Sequence, residues 1–350
     1  MKMWGIKSVM VLGAVAMLAA GCGNGGAGQA QSGAQPQAGS QAQAPAGKKT
    51  TNVKVVLDWT PNTNHTGLYA AKDLGYYEQE GLNVEIVQPG QAGADTMVAT
   101  GDAQFGVSYQ EAVTQARIQN VPLVSIAAVI QHNTSGFASP AAKNITSPKD
   151  FEGKTYGGWG SPVENAMIES LMQTEKADPS KVKIVNIGEA DYFTAVKKDV
   201  DFAWIYYAWT GIDAELRGEP MNMLYLTKYS DKLDYYTPVL VTNENQIKSD
   251  PELVKAFMRA TAKGYQYAIE KPDEAADLLV KAVPDLDPKL VKASQKWLST
   301  RYQDDAPRWG EQKKSVWENY AAWMLEHKLL EKKLDADKAF TNEFLPAAAK

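Results

Sequence analysis

Tryptophans and tyrosines gather where short β-branched runs give way to loops. Trp59 follows Val53–Leu57, and Tyr109 follows Ala103–Val107. Trp159 lies inside Tyr156-Gly-Gly-Trp-Gly-Ser-Pro162, and Trp204, Tyr206, Tyr207 and Trp209 crowd the end of Phe202–Ile205. Strand ends of an open α/β sheet face a crevice rather than a core. Rings placed there would stack on a flat heteroaromatic guest, with a few directed hydrogen bonds to orient it. The same loops supply polar groups. Asn64 can donate and accept together, which matches an aminopyrimidine edge. Glu164 and Glu189 would accept from an exocyclic amine and favour protonation of a ring nitrogen. His65 would add a further hydrogen-bonding partner. Each has a plainer alternative: a ring packed in a core, a glutamate at a helix start favoured by the dipole, a histidine that caps a loop. His132 and His327 have weaker claims, and His327 reads as a surface residue of an amphipathic helix.

Other chemistries find little material. Gly157-Gly-Trp-Gly160 before a helix could cradle an anion on backbone amides. No arginine stands near these loops to clamp one, since Arg117 and Arg217 lie further along helices. An aromatic-rich, arginine-poor crevice suits a neutral or weakly basic ring better than a sulfonate or nitrate. One cysteine and three histidines in 350 residues leave no disulfide framework and little for a metal site, and no Ser-His-Asp order or phosphate loop is present. The net charge of −5 provides no basic footprint for nucleic acid. No cofactor is expected.

The elements that must position these residues alternate. Strands are expected at 53–57, 83–87, 103–107 and 123–130, with helices at 68–77, 94–100 and 111–119 between them. The rhythm restarts with strands at 154–157, 182–186, 202–205 and 238–241 and helices at 162–175 and 192–198. Helical patterns then run over 252–270, 272–283, 288–298 and 310–327. Such alternation predicts an α/β chain with two mostly parallel sheets, two lobes with a cleft between them, and a helical tail closing one lobe. Strands 123–130 and 238–241 are placed to cross between the lobes, where hinge residues would absorb a closing rotation.

The first segment reads as an address. Lys2 and Lys7 precede an uncharged, mostly apolar run, Ser8–Ala20, too short to span a bilayer. It ends Leu18-Ala19-Ala20-Gly21-Cys22, similar to the site at which bacterial lipoproteins are cleaved and acylated. The expectation is a signal peptide over 1–21 and an acyl anchor on Cys22. A flexible leash over 22–52, rich in Gly, Ala, Gln, Ser and Pro, would follow.

The run Val55-Val-Leu-Asp-Trp-Thr-Pro-Asn-Thr-Asn-His-Thr-Gly-Leu-Tyr-Ala-Ala71, with Asp73-Leu-Gly-Tyr-Tyr-Glu-Gln-Glu-Gly-Leu-Asn-Val84 after it, resembles the opening of certain periplasmic binding proteins. These serve importers of thiamine-precursor pyrimidines. Asp58-Trp59, Asn64-His65 and Tyr69 are its more specific part, and the similarity extends from Val53 to Tyr320. It implies a two-lobe, type II periplasmic-binding-protein fold with two crossover strands as hinge. Lobe 1 would comprise 53–130 and 239–345, and lobe 2 would comprise 131–238. It also implies an extracytoplasmic, monomeric, lipid-anchored capture protein that hands a formylaminopyrimidine-like ligand to an ABC permease, with Tyr69 joining the ligand site. Related eukaryotic enzymes that make the same pyrimidine carry a histidine at the place of His65 and a cysteine-rich motif later. Here that stretch is Leu233-Asp-Tyr-Tyr-Thr-Pro238, without cysteine, which favours a binder over an enzyme. Riboflavin, another heteroaromatic and an alkanesulfonate remain alternative cargoes. A synthase consuming its own His65 with bound iron, and a surface lipoprotein acting by protein contact, are the rivals of other classes.

Overall fold

A computed structural model of the chain describes residues 50–188 and 190–347. The expected signal peptide, Cys22, most of the leash and Glu189 lie outside the described residues. The ten strands are β1 (Thr51–Val56), β2 (Leu82–Val87), β3 (Phe105–Ser108), β4 (Leu123–Ala128), β5 (Ser135–Pro140), β6 (Thr155–Gly158), β7 (Lys183–Asn186), β8 (Phe202–Tyr206), β9 (Met221–Tyr225) and β10 (Val239–Asn243). They form two five-stranded sheets, ordered β2-β1-β3-β10-β4 and β7-β6-β8-β5-β9.

The two sheets share one plan. In each, the strand arriving from the other sheet, β10 or β5, inserts antiparallel between the third and fourth strands. The remaining pairings are parallel. The sheets are therefore mixed rather than mostly parallel. β4 and β10 lie side by side in the first sheet, and the crossings are the segments after β4 and before β10. Neither β5 nor β9 is evident from the sequence. Ser135-Gly-Phe-Ala-Ser-Pro140 carries turn residues and no β-branched run, yet Gly136 is needed there: a Cβ on it would stand 2.2 Å from the Leu224 carbonyl oxygen of β9.

Each sheet has its own core. Val53, Val55, Phe105, Val107, Ile126 and Leu240 lie in the first, under the helix Pro251–Glu270. Phe137, Tyr156, Met167, Phe202 and Leu224 lie in the second. The helix Thr66–Asp73 and the helix Pro251–Glu270 touch backbone to side chain. A Cβ on Gly264 would meet the Gly67 carbonyl oxygen at 2.0 Å, and one on Gly67 would meet the Tyr265 ring at 2.3 Å. The helix Lys314–Glu326 serves both cores: Trp317 is buried with the first sheet, whereas Tyr320, Ala321, Trp323 and Met324 are buried with the second.

The two crossings are tied together. His132 of the first bonds Asp234 of the second at 2.6 Å and also Asp305 at 3.3 Å. The Asp234 hydrogen bond, reinforced by both carboxylates, pushes the imidazole up to about 9. The second crossing is fixed to the start of the helix Gln110–Ile118 by reciprocal bonds between Gln110 and Tyr236.

Candidate functional site

The Asp58–His65 loop is the most heavily braced of the candidate loops. Asn62 caps the turn Thr63–His65 by accepting from the Asn64 amide at 2.9 Å. In return the Asn62 amide donates to His65 Nδ1 at 3.1 Å. That bond leaves the ring proton on Nε2, which donates to Asp58 Oδ1 at 2.7 Å. His65 is fully buried, so both nitrogens serve the loop and none reaches a crevice. The later part of the chain holds the same turn: Tyr265 donates to the Asn64 carbonyl at 2.8 Å, Tyr302 to the Thr63 carbonyl at 2.5 Å, and Thr63 Oγ1 meets Ser294 Oγ at 2.6 Å. The Asn64 side-chain amide, by contrast, has no protein partner among the described residues, which leaves it able to donate and accept as expected.

The rings divide into two groups. Trp59 is 49% exposed, Trp159 47%, Tyr109 43% and Tyr206 41%, and these four account for most of the exposed large apolar side chains among the described residues. An exposed cluster of rings is the informative departure from ordinary burial. Trp59 and Tyr109 leave the first sheet side by side, since β1 and β3 pair Val55 with Phe105 and Val56 with Gly106 in parallel. Tyr206 ends β8 of the second sheet. Its ring is open while its hydroxyl is hemmed in, 3.4 Å from Thr237 of the second crossing. Burial, with Glu111, Tyr109 and Asp58 nearby, pushes that phenol above its ordinary range. One tyrosine from each sheet thus meets a common set of carboxylates. Trp159 tilts against Trp204 at 5.3 Å and 44°.

Trp204 does not follow its strand. It lies inside β8, is buried, packs on Phe137 at 5.8 Å and backs Trp159. Its indole Nε1 is buried without a partner. Tyr69 is half-buried and packs with Trp209 on the small cluster Ala276, Leu279 and Val291. Tyr207 stacks obliquely on Tyr225 and Trp297 and donates to Glu215, so it belongs to that same helical flank.

The Trp159 loop is organised by Glu164. Its Oε1 accepts from the Tyr156 hydroxyl at 2.6 Å and the Trp159 amide at 3.0 Å, and its Oε2 accepts from the Gly160 and Ser161 amides, each at 2.8 Å. A carboxylate offers about four acceptor positions, and all four are taken. The residue is 2% exposed. It therefore has no capacity left for a ligand amine, contrary to the reading of Glu164 as an edge contact. The amides that could have cradled a foreign anion are already bonded to this carboxylate.

Charge at the crevice comes from residues to which the sequence reading gave no site role. Asp58 directly precedes Trp59 and is half-buried. Asp95 opens the helix Gly93–Thr100, and Glu111 opens the helix Gln110–Ile118. Asp95 Oδ1 and Ser108 Oγ are both buried without a hydrogen-bond partner. Burial, followed by Asp95, Glu111 and Asp58, pushes the Tyr109 phenol up to about 12. Glu111 is itself pushed up to about 7 by burial and by Glu164, opposed by the Tyr320 hydroxyl at 3.3 Å. The signal that could have found them is positional: each stands at a strand end or in the first turn of the following helix, as the rings do. The arginines noted in the sequence are engaged elsewhere, Arg117 with Glu244 at 2.5 Å and Arg217 over the Phe193 ring at 4.2 Å. A hollow of about 480 Å³ over Thr155, Lys183, Thr194 and Lys198 lies on the flank of the second sheet, without aromatic rings, and belongs to a different surface.

Two mixed sheets in this order, joined by two crossings, make the chain a two-lobe protein of the periplasmic-binding-protein fold. The aliphatic sulphonate binding protein SsuA from Escherichia coli superposes with a TM-score of 0.65, at 12% identity, over 85% of this chain and 94% of that one. Residues 62–275 match the family described as NMT1/THI5 like, and the chain belongs to that family. It is 30% identical to the formylaminopyrimidine-binding protein of Halalkalibacterium halodurans over 83% of this chain and 89% of the relative. It is also 27% identical to the 4-amino-5-hydroxymethyl-2-methylpyrimidine phosphate synthase of Legionella pneumophila, over 85% of this chain and 93% of that one.

Proposed function

We propose that this protein captures a thiamine-precursor pyrimidine, of the formylaminopyrimidine type, and delivers it to an ABC permease. The observation that carries the reading is the joint placement of four half-exposed rings and three carboxylates at the facing strand ends of two sheets. Rings stack on a flat guest, and carboxylates accept from its amines and favour a protonated ring nitrogen. A sulfonate would meet Asp58, Asp95 and Glu111 with no free guanidinium beside them, which disfavours that cargo. The 30% identical relative named for formylaminopyrimidine binding supports the same ligand class. In this reading Trp59 and Tyr109 line one side of the guest and Trp159 and Tyr206 the other. Asn64 and Glu189 read its polar edge, and Asp58 takes an exocyclic amine. Trp204 braces Trp159, and Tyr69 fixes the helix behind Asn64.

The same reading makes the protein a binder without catalysis, monomeric, and held at the outer face of the membrane by an acyl group on Cys22. His65 supports the first point: a buried imidazole with both nitrogens bonded within its own loop is not presented for reaction. Calorimetric titration of the purified protein with formylaminopyrimidine tests the ligand. Saturable heat with a change in tryptophan emission is expected, and neither at high ligand concentration removes the assignment. An unchanged protein mass after incubation with iron is expected of a binder, whereas loss of mass at His65 would make it a synthase. Cys22→Ser should move the protein from the membrane fraction to the soluble one.

A further inference from the structure

We propose that Glu164 is a built-in anion: it fills the amide nest at the start of the helix Pro162–Thr174, shuts out sulfonates and other oxyanions, and aims Trp159. The inference rests on the pyrimidine reading only for its second consequence, the aim of Trp159.

A glutamate at the third helical position commonly reaches back to one amide, that of the N-cap. Here the carboxylate reaches three in succession, Trp159, Gly160 and Ser161, and takes the Tyr156 hydroxyl besides. Consecutive amides pointing at one spot before a helix are the arrangement that binds phosphate and sulfonate groups from solution. The two carboxylate oxygens occupy the positions that two oxygens of such a group would take. The backbone is shaped around them. A Cβ on Gly158 would stand 2.1 Å from Glu164 Oε1, and Gly160 adopts a left-handed φ of 92°. Gly160 thereby turns its amide toward Oε2 at a conformation that other residues rarely adopt. Its charge also adds to the rise of Glu111, which burial causes first.

Two consequences follow. A foreign oxyanion has no free donors in this loop and meets a resident negative charge. Trp159, whose amide is pinned, is presented as a half-exposed ring in one orientation rather than as a mobile side chain on a glycine loop.

The test is Glu164→Ala, read first with methanesulfonate. The melting temperature of the variant should rise with methanesulfonate above its value in chloride at equal ionic strength, while the wild-type protein shows no such difference. Titration should show methanesulfonate binding at least about tenfold tighter than to wild type, the scale of one charge-assisted hydrogen bond. A folded variant with the same indifference to methanesulfonate as wild type would overturn the proposal. If Glu164→Ala fails to fold in chloride, refolding in methanesulfonate carries the test: the oxyanion should restore folded protein where chloride at equal ionic strength does not. Absence of that response sinks the idea equally. Failure of wild type to bind pyrimidine would remove the ligand assignment and leave the methanesulfonate result standing, so the two readings fail separately.

Discussion

The crevice edges of the two sheets are built on one strand plan and differ in what they present. The first offers Trp59 and Tyr109 together with Asp58, Asp95 and Glu111, carboxylates left with spare capacity. The second offers Trp159 and Tyr206, and Glu164 there is turned inward and saturated by four donors. A shared topology therefore fixes where loops stand, while the partners each acid finds decide whether its charge faces the guest or the backbone. An acid with free lone pairs selects a donor-bearing ring; an acid consumed by amides selects against a second anion.

The largest expected effect comes from disturbing the inward acid. Gly158→Ala should lower unfolding free energy by about 3–5 kcal/mol, the cost of leaving a buried charge without its partners. Denaturant titration checks it, and a loss below about 1 kcal/mol would mean that the loop can reseat Glu164 freely. Trp159→Ala sharpens the contrast from the other direction. Its ring is half-exposed, so stability should hardly change, while pyrimidine affinity should fall by about 1–3 kcal/mol in calorimetry, as ring stacking does. Asp58→Asn should cost a comparable amount of affinity, about 1.5–3 kcal/mol, by weakening one charged hydrogen bond while the acceptor to His65 survives. Glu164→Ala should leave pyrimidine binding less affected than it leaves anion exclusion.

The smallest effect is a pH slope. Glu111 is raised to about 7 from an ordinary value near 4.5, so the folded protein holds its proton where the unfolded chain has lost it. Its ionisation therefore opposes folding progressively as pH rises from about 4.5 through about 7, and is neutral below that window. Glu111→Gln should flatten the decline, with melting temperatures at pH 5.5 and 8 closer together than in wild type. Equal slopes in both proteins would show that Glu111 is not held protonated by its surroundings.

Much of this was legible residue by residue. Val53–Leu57, Asn83–Val87 and the long C-terminal helices announce themselves by β-branched content or helical periodicity, and their observed limits differ by at most two residues, except that the last helix starts at Lys314, four residues later than expected. The four open rings were legible too, because position after a strand is a local property. β5 and β9 were not, since a glycine- and serine-containing segment becomes a strand only when a neighbour supplies the hydrogen bonds. Trp204 looked like a crevice ring because it was grouped with Tyr206 and Tyr207 beyond the strand, whereas it lies inside β8 with its ring buried.

What the amino-acid order determined by itself is the supply: aromatic rings, amides and acids at the seams between strands and helices, a body without basic patches, and two α/β halves. What only tertiary structure decided is how each polar group is used. Glu164 accepts from Tyr156 and from three successive amides in a loop, while His65 accepts from the Asn62 amide and donates to Asp58. A side chain's chemistry is set by its residue type, but its remaining capacity is set by the partners folding brings within about 3 Å.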